Sequence, residues 1–300
     1  MKNQRILVSA LLITILIFVV ELVGGLYSGS LALSADAGHM LTDAMALTLA
    51  LLAAIFAALP ADKKNTFGFY RLEILSALFN GSLLTLIALF IFYEAYRRFA
   101  HPAAIDSNLM LMVATIGFLA NVGAAVILAG ASRDNLNVRG AFLHVISDAV
   151  SSVGVIVGGV LIHYAKWYYA DPVISVFIGV LILRGALRLA FDAINVLLEA
   201  APPGVSVAEV AAAIKAVKGV EDLHDLHIWS ISSGLNAISA HLVITDDMAE
   251  KASRVLGEVD ALLKEKYNIA HATFQTECES CPEGLICRIE PTRKEHGHQH

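Results

Sequence analysis

Two stretches of the chain repeat one spacing. "SADAGHMLTDAMAL" places Asp43 four residues after His39, and "AFLHVISDAVSSVGV" places Asp148 four residues after His144. On a helix, residues i and i+4 stand one turn apart on one face. Each pair can therefore point at a single object. Two imidazoles and two carboxylates suit a tetrahedral Zn2+, which accepts nitrogen and oxygen donors together. Mg2+ and Ca2+ prefer all-oxygen shells. One such pair alone reads equally well as buried polar residues bonding between helices. Two identical pairs in separate apolar segments read better as one shared metal site, because each supplies the partner that an intramembrane ionisable residue requires.

Asp36 lies three residues before His39, on a similar helical face. It reads as an acceptor for the second N–H of a metal-bound His39, as a step on a proton path, or as a plain helix-start carboxylate. Asn80 and Asn121 lie in other apolar segments. They read first as groups bonding between helices and second as lining of the same cavity.

The elements that position these residues follow from composition. Of 300 residues, 57% are hydrophobic and 16% charged, against about 25% charged in ordinary soluble domains. This is the composition of a polytopic membrane protein with a soluble piece attached. Spans are expected at 6–27, 32–59, 74–95, 109–131, 141–163 and 172–196, each near the ~20 residues a bilayer needs. The first apolar run exceeds the roughly 7–15 residues of a signal-peptide core and is expected to stay as a helix. Lys2, Arg5, Lys63, Lys64, Arg71, Arg133 and Arg139 fall on one side, and Arg97, Arg98 and Lys166 on the other. The positive-inside rule then puts both termini in the cytoplasm. A net charge of −6 gives no sign of nucleic-acid binding. Cys278, Cys281 and Cys287 crowd one short stretch and form no secreted disulfide framework.

"EAAPPG" ends the apolar region, so the expected division is a transport domain 1–200, a small soluble domain 201–277 and a Cys/His-containing tail 278–300. "SVAEVAAAIKAVKG" reads as a helix with Ser206 as N-cap and Gly219 at its end. "LHDLHIWSIS" and "NAISAHLVIT" read as strands joined through "SGL", "MAEKASRVLGEVDALLKEKY" as an amphipathic helix, and "HATFQTE" as a last strand. The order αββαβ predicts an α+β fold with its helices on one face of the sheet. If "LHDLHIW" is a regular strand, Asp225 and His227 alternate faces with His224, and the three cannot share one ion.

The stretches "SLALSADAGHMLTDAMAL", "ADKKNTFGFYRLEILSALFN", "NLNVRGAF", "HVISDAVSSVGV", "ADPVISV", "NVLLEAAP" and "HDLHIW" together resemble the cation diffusion facilitator family, in its bacterial zinc-exporting branch. The resemblance covers the first span to about residue 277. It implies six transmembrane helices, a ferredoxin- or metallochaperone-like cytoplasmic domain, a homodimer in the inner membrane, and metal–proton antiport out of the cytoplasm. The family's transport site maps onto His39, Asp43, His144 and Asp148. The His-x3-Asp form of both halves is similar to zinc transporters; Cd2+, Co2+ or Fe2+ would be carried if selectivity is broader. The resemblance also implies cytoplasmic metal ligands at His224 and His241. The last-strand positions are Gln275 and Glu277, with His271 as a possible substitute. The tail thiols Cys278 and Cys281 are further candidates. Arg71 and Glu199 match positions where relatives carry opposite charges that pair at the membrane–cytoplasm boundary of the dimer. Clustered carboxylates such as Glu221, Asp222 and Asp225 would repel across that dimer until a dication relieves them. Two family features are missing. "NTFGFYR" holds no His, and Asp62 alone would not hold zinc, so no metal site is expected in that loop. "ASRDNLNVRG" is short and holds no His either.

Two other classes fit less well. An intramembrane metalloprotease needs a motif such as H-E-x-x-H, which the sequence lacks. A membrane metal sensor needs an output module beyond the small domain. The expectation is a transporter rather than an enzyme. Zn2+ and H+ are its partners, the bilayer is its surroundings, and no organic cofactor is needed.

Overall fold

The computed structural model describes residues 2–57, 59, 61, 63–129, 136–244, 252–277 and 285. The side chains of Asp43 and His144, together with Asp62, Cys278, Cys281 and Cys287, lie outside what it describes. Six long helices come first: α1 (Lys2–Ser28), α2 (Leu31–Ala57), α3 (Arg71–Ala100), α4 (Ser107–Ala129), α5 (Leu136–Ala165) and α6 (Ala170–Leu197). Among the described residues, α3, α4, α6 and the Val145–Ala165 part of α5 are long and apolar enough to cross a membrane, and Leu12–Ser28 of α1 is a shorter apolar helix. α3 and α5 have 30 residues each and overrun the apolar stretches 74–95 and 141–163. At 1.5 Å per residue they reach about 45 Å, beyond the ~30 Å hydrocarbon layer, so their polar ends project from it.

The chain forms two compact units, residues 1–55 with 75–191 and residues 56–74 with 192–300. In the first, Leu16, Leu86, Phe90, Val126, Val150 and Phe177 are exposed, while Leu33, Ala88, Met110, Ala114, Val155 and Ala186 are buried. Large apolar residues on the outside, with alanines among those inside, are what lipid permits, because helices there associate by close packing rather than by hiding apolar surface. Gly81 shows the closeness. A Cβ on it would stand 3.0 Å from Ala186 O and Ala190 N of α6.

The start of α2 is fixed from another helix. Gly29, at φ +71°, turns the chain between α1 and α2. The buried carboxylate of Asp171, in the first turn of α6, then accepts from Ser30 Oγ (2.6 Å) and from the N–H groups of Leu31 (2.9 Å) and Ala32 (3.1 Å). Arg98 of α3 donates to the same carboxylate at 3.2 Å. An anion on the exposed N–H groups of a helix start satisfies donors that have no intrahelical partner. The knot locates the beginning of the helix that carries Asp36 and His39.

In the second unit, α7 (Val207–Lys215), β1 (Val220–Ser232), β2 (Leu235–Ile244), α8 (Ala252–Tyr267) and β3 (Ile269–Glu277) follow in the expected order αββαβ. Ser206 caps α7 by accepting from Glu209 N at 3.3 Å. α7 ends at Lys215 rather than running to Gly219, which turns the chain at φ +101°. β1 pairs antiparallel with β2, and β2 pairs parallel with β3. Val210 and Ile214 of α7 and Val255, Val259 and Leu263 of α8 close one core with Leu223, Ile238 and Leu242 of the sheet. Each such side chain contributes roughly 1.5–3 kcal/mol by its burial.

Candidate metal centres

The first centre lies among the long helices. His39 Nε2 of α2 stands 4.0 Å from Asp148 Oδ1 of α5, with Asp148 buried and His39 partly exposed. The two described members of the repeated pairs thus come from different helices and face each other. Asp36, one turn earlier on α2, is buried and accepts from Ser151 Oγ of α5 at 2.6 Å. Ser152 Oγ bonds back to Asp148 O at 3.0 Å. A second α2–α5 link therefore runs beside the His39–Asp148 approach, and Asp36 engages a serine there. Asn80 and Asn121 are both buried. Asn80 Oδ1 and Asn121 Nδ2 have no hydrogen-bond partner among the described residues.

One residue here has no counterpart in the sequence reading. Glu21 of α1 is completely buried, and neither carboxylate oxygen has a hydrogen-bond partner among the described residues. Gly117 of α4 makes its room, since a Cβ there would overlap Glu21 Oε1. The charges of Asp36 and Asp148 act on it. The available signal was a lone carboxylate in the middle of an apolar run, "FVVELVGG", with no spacing partner on its own helix.

The second centre lies on the sheet. β1–β2 pairing sets His224 directly opposite His241, and β2–β3 pairing sets Val243 opposite Glu277. Glu277 Oε2 is 3.1 Å from His224 Nε2, and Glu277 Oε1 is 3.0 Å from His241 Nδ1. Donor atoms of all three lie within 4.8 Å of one another. His224 is buried, and its Nδ1 has no hydrogen-bond partner among the described residues. Two nitrogens and a carboxylate make a donor set that fits zinc. Gln275 faces Glu277 and donates to it at 2.7 Å, orienting the carboxylate.

Three expectations need correcting. His271 does not join this cluster. The register places it opposite Ala237, four residues before Gln275 and so about 13 Å along the strand, where its ring meets Phe67 edge-on at 5.6 Å. Second, β1 is not a regular strand at "HDLH". A bulge separates His224 from His227, and Asp225 adopts φ +49°. A bulge breaks strict alternation of faces. Asp225 consequently reaches His227 Nε2 at 3.1 Å with one oxygen and lies 3.7 Å from His241 Nε2 with the other. The same bulge frees the N–H of Leu226, which donates to Leu285 O at 2.9 Å. Third, the carboxylates near this edge are not simply repelling charges. Asp222 is held by Lys215 at 2.6 Å. That ammonium, with the Leu223 backbone N–H, holds the Asp222 carboxyl below the usual carboxylate range.

Arg71 Nη2 donates to Glu199 Oε1 at 2.7 Å within one chain. Glu199 sits at φ +58°, just beyond the end of α6, a position that more often takes glycine. Glu73, in the first turn of α3, accepts from Ser232 at the end of β1.

The chain is similar to known proteins along its whole length. The family model "Cation efflux transmembrane domain" matches residues 7–198, and "Cation efflux protein, cytoplasmic domain" matches residues 202–279. A Bacillus subtilis protein named cadmium, cobalt and zinc/H(+)-K(+) antiporter is 38% identical over 99% of this chain and 97% of its own length. The Escherichia coli protein named zinc transporter ZitB is 38% identical over 100% of this chain and 95% of its own. The solved metal-bound C-terminal domain of the CzcD transporter from Cuprividus metallidurans is 38% identical. It covers 24% of this chain and 99% of that one, with a TM-score of 0.23.

Proposed function

The chain belongs to the cation efflux family, and on that premise we propose that it exports zinc from the cytoplasm in exchange for protons. The carrying observation is His39 facing the buried Asp148 from a different helix at 4.0 Å. Asp43 and His144, one turn from them by sequence, complete a four-donor transport site. Neutral imidazole and carboxylate hold the metal, and their protonated forms do not, so metal and protons compete for one set of groups. Zinc entering from the cytoplasm displaces protons. Movement of the helices opens the site outward, where protons reload the donors and release the metal. Both termini are cytoplasmic in this reading, the protein lies in the inner membrane, and two copies pair through their sheet domains.

His224, His241 and Glu277 are proposed to bind regulatory zinc, with Asp225 approaching from the bulge. The tail thiols Cys278 and Cys281 are proposed as further donors. A wider range, with Cd2+ and Co2+ carried beside Zn2+, is favoured by the printed name of the Bacillus subtilis relative.

The test is zinc flux in proteoliposomes holding the full chain. Uptake that rises with an opposing proton gradient and disappears in Asp148→Ala is expected. Wild-type flux from Asp148→Ala would remove the shared site.

A further inference from the structure

We propose that Glu21 is a proton-binding residue of the transport cavity, outside the four-donor set, which gives up its proton when the metal enters. The inference rests on the antiport reading for its role in transport, and on the following geometry for its position.

Glu21 is fully enclosed, and no N–H or O–H among the described residues reaches either of its oxygens. A carboxylate so placed lacks the donors that make a buried negative charge tolerable. Among the described residues, its setting adds no lysine or arginine. α4, which packs against it through Gly117, contains no titratable residue. From α2 it meets the charge of Asp36, and from α5 that of Asp148; His39 acts on Asp36. The described part of the cavity therefore holds Glu21, Asp36 and Asp148 as acids and His39 as the base.

The charge count then separates them. Before a divalent ion enters, three carboxylates stand together, and Asp43 adds a fourth by sequence. Asp36 has Ser151 as a donor and Asp148 faces His39. Glu21 has neither kind of relief, so it is the acid on which a proton offsets that excess of negative charge most directly until the dication arrives. It is near enough for the charge at Asp148 to act on it, yet it lies on α1, away from both His-x3-Asp helices. When a dication enters beside Asp148, its positive charge favours the ionised form of Glu21. The O–H bond of Glu21 then breaks, its electron pair stays on the oxygen, and the proton passes to water. Departure of the metal reverses the step. Gly117 is part of the same device, because any side chain there would occupy the space of the carboxyl group.

The experiment counts protons. Full-length protein in detergent is titrated with zinc in weakly buffered solution, and the protons released per ion bound are compared. Glu21→Gln keeps the shape and removes the acid. The expected result is one proton fewer per zinc, with zinc still bound at the same stoichiometry because the four donors remain. In proteoliposomes the same variant should lose about tenfold of zinc accumulation per unit of imposed pH difference, the worth of one coupled proton. Glu21→Asp should restore the count. An unchanged proton count in Glu21→Gln overturns the proposal. Loss of zinc binding also overturns it, by making Glu21 a ligand, and a Glu21→Asp variant that loses the proton too points to a structural role only. If wild type moves zinc without any response to a pH gradient, antiport fails separately, and the proton count on binding still decides the role of Glu21.

Discussion

The helical centre and the sheet centre assemble similar donors in opposite ways. His39 and Asp148 meet at 4.0 Å from two long helices in an apolar surround. Their spacing depends on how α2 and α5 pack, and packed helices can shift against each other. His224, His241 and Glu277 stand on paired strands, both imidazoles already on one carboxylate at 3.0 and 3.1 Å. There the spacing is set by ladder hydrogen bonds and changes only if the sheet breaks. A site that must take up an ion and then release it on the other side benefits from donors that separate. A site that reports a concentration benefits from donors that stay together. On the proposed reading, the same chemistry serves carriage in one unit and retention in the other.

The largest expected effect breaks the comparison at the helical side. Asp148→Ala should lower zinc export by about 100-fold or more, since even indirect supports of metal ligands cost about 10–100-fold. Zinc binding to the sheet centre should persist, measured by equilibrium dialysis on the same variant. If sheet binding vanished too, the two centres would not be independent.

At the sheet side, His224→Ala with His241→Ala removes two of the three donors and should weaken binding there by about 100-fold or more, beyond the cost of losing an indirect support. Export at saturating zinc should fall by less than about tenfold, because the carrying donors are untouched. A loss as deep as that of Asp148→Ala would show that the sheet centre hands over the ion rather than reporting it.

The Arg71–Glu199 pair is smaller still. Both partners are well exposed, at 44% and 58%, where such pairs are worth up to about 1 kcal/mol. Arg71→Glu should reduce export by about fivefold at most, and Glu199→Arg added to it should recover most of the loss. A double variant no better than the sum of the two would show that the contact couples nothing.

The smallest effect is the Lys215–Asp222 pair. The carboxyl of Asp222 is depressed on folding, so its contribution is complete above the ordinary carboxylate range. It is lost as pH falls through the lower, folded value. Lys215→Ala should lower thermal stability slightly at neutral pH and not at all in acid, as read by circular dichroism. An equal loss at both pH values would assign the effect to the lysine stem.

How much of this was legible follows from which features are local. The six long helices, the order αββαβ, the Ser206 cap and the two His-x3-Asp pairs were readable in the sequence. Each is a matter of hydropathy run, periodicity or capping over a few turns. Long-range packing decided the rest. Glu21 can be buried among the helices because Gly117 of another helix leaves room for it. Asp171 caps α2 from α6, and "ADPVISV" alone says nothing of that. His271 is excluded by strand register, which no single strand contains. Asp225 joins the sheet centre through a bulge and a left-handed residue, where alternation predicted the opposite face. Sequence by itself therefore determined which chemistry the chain carries and on which elements. Tertiary structure decided which of those groups meet, because helix packing and strand register are set by contacts between residues far apart in the chain.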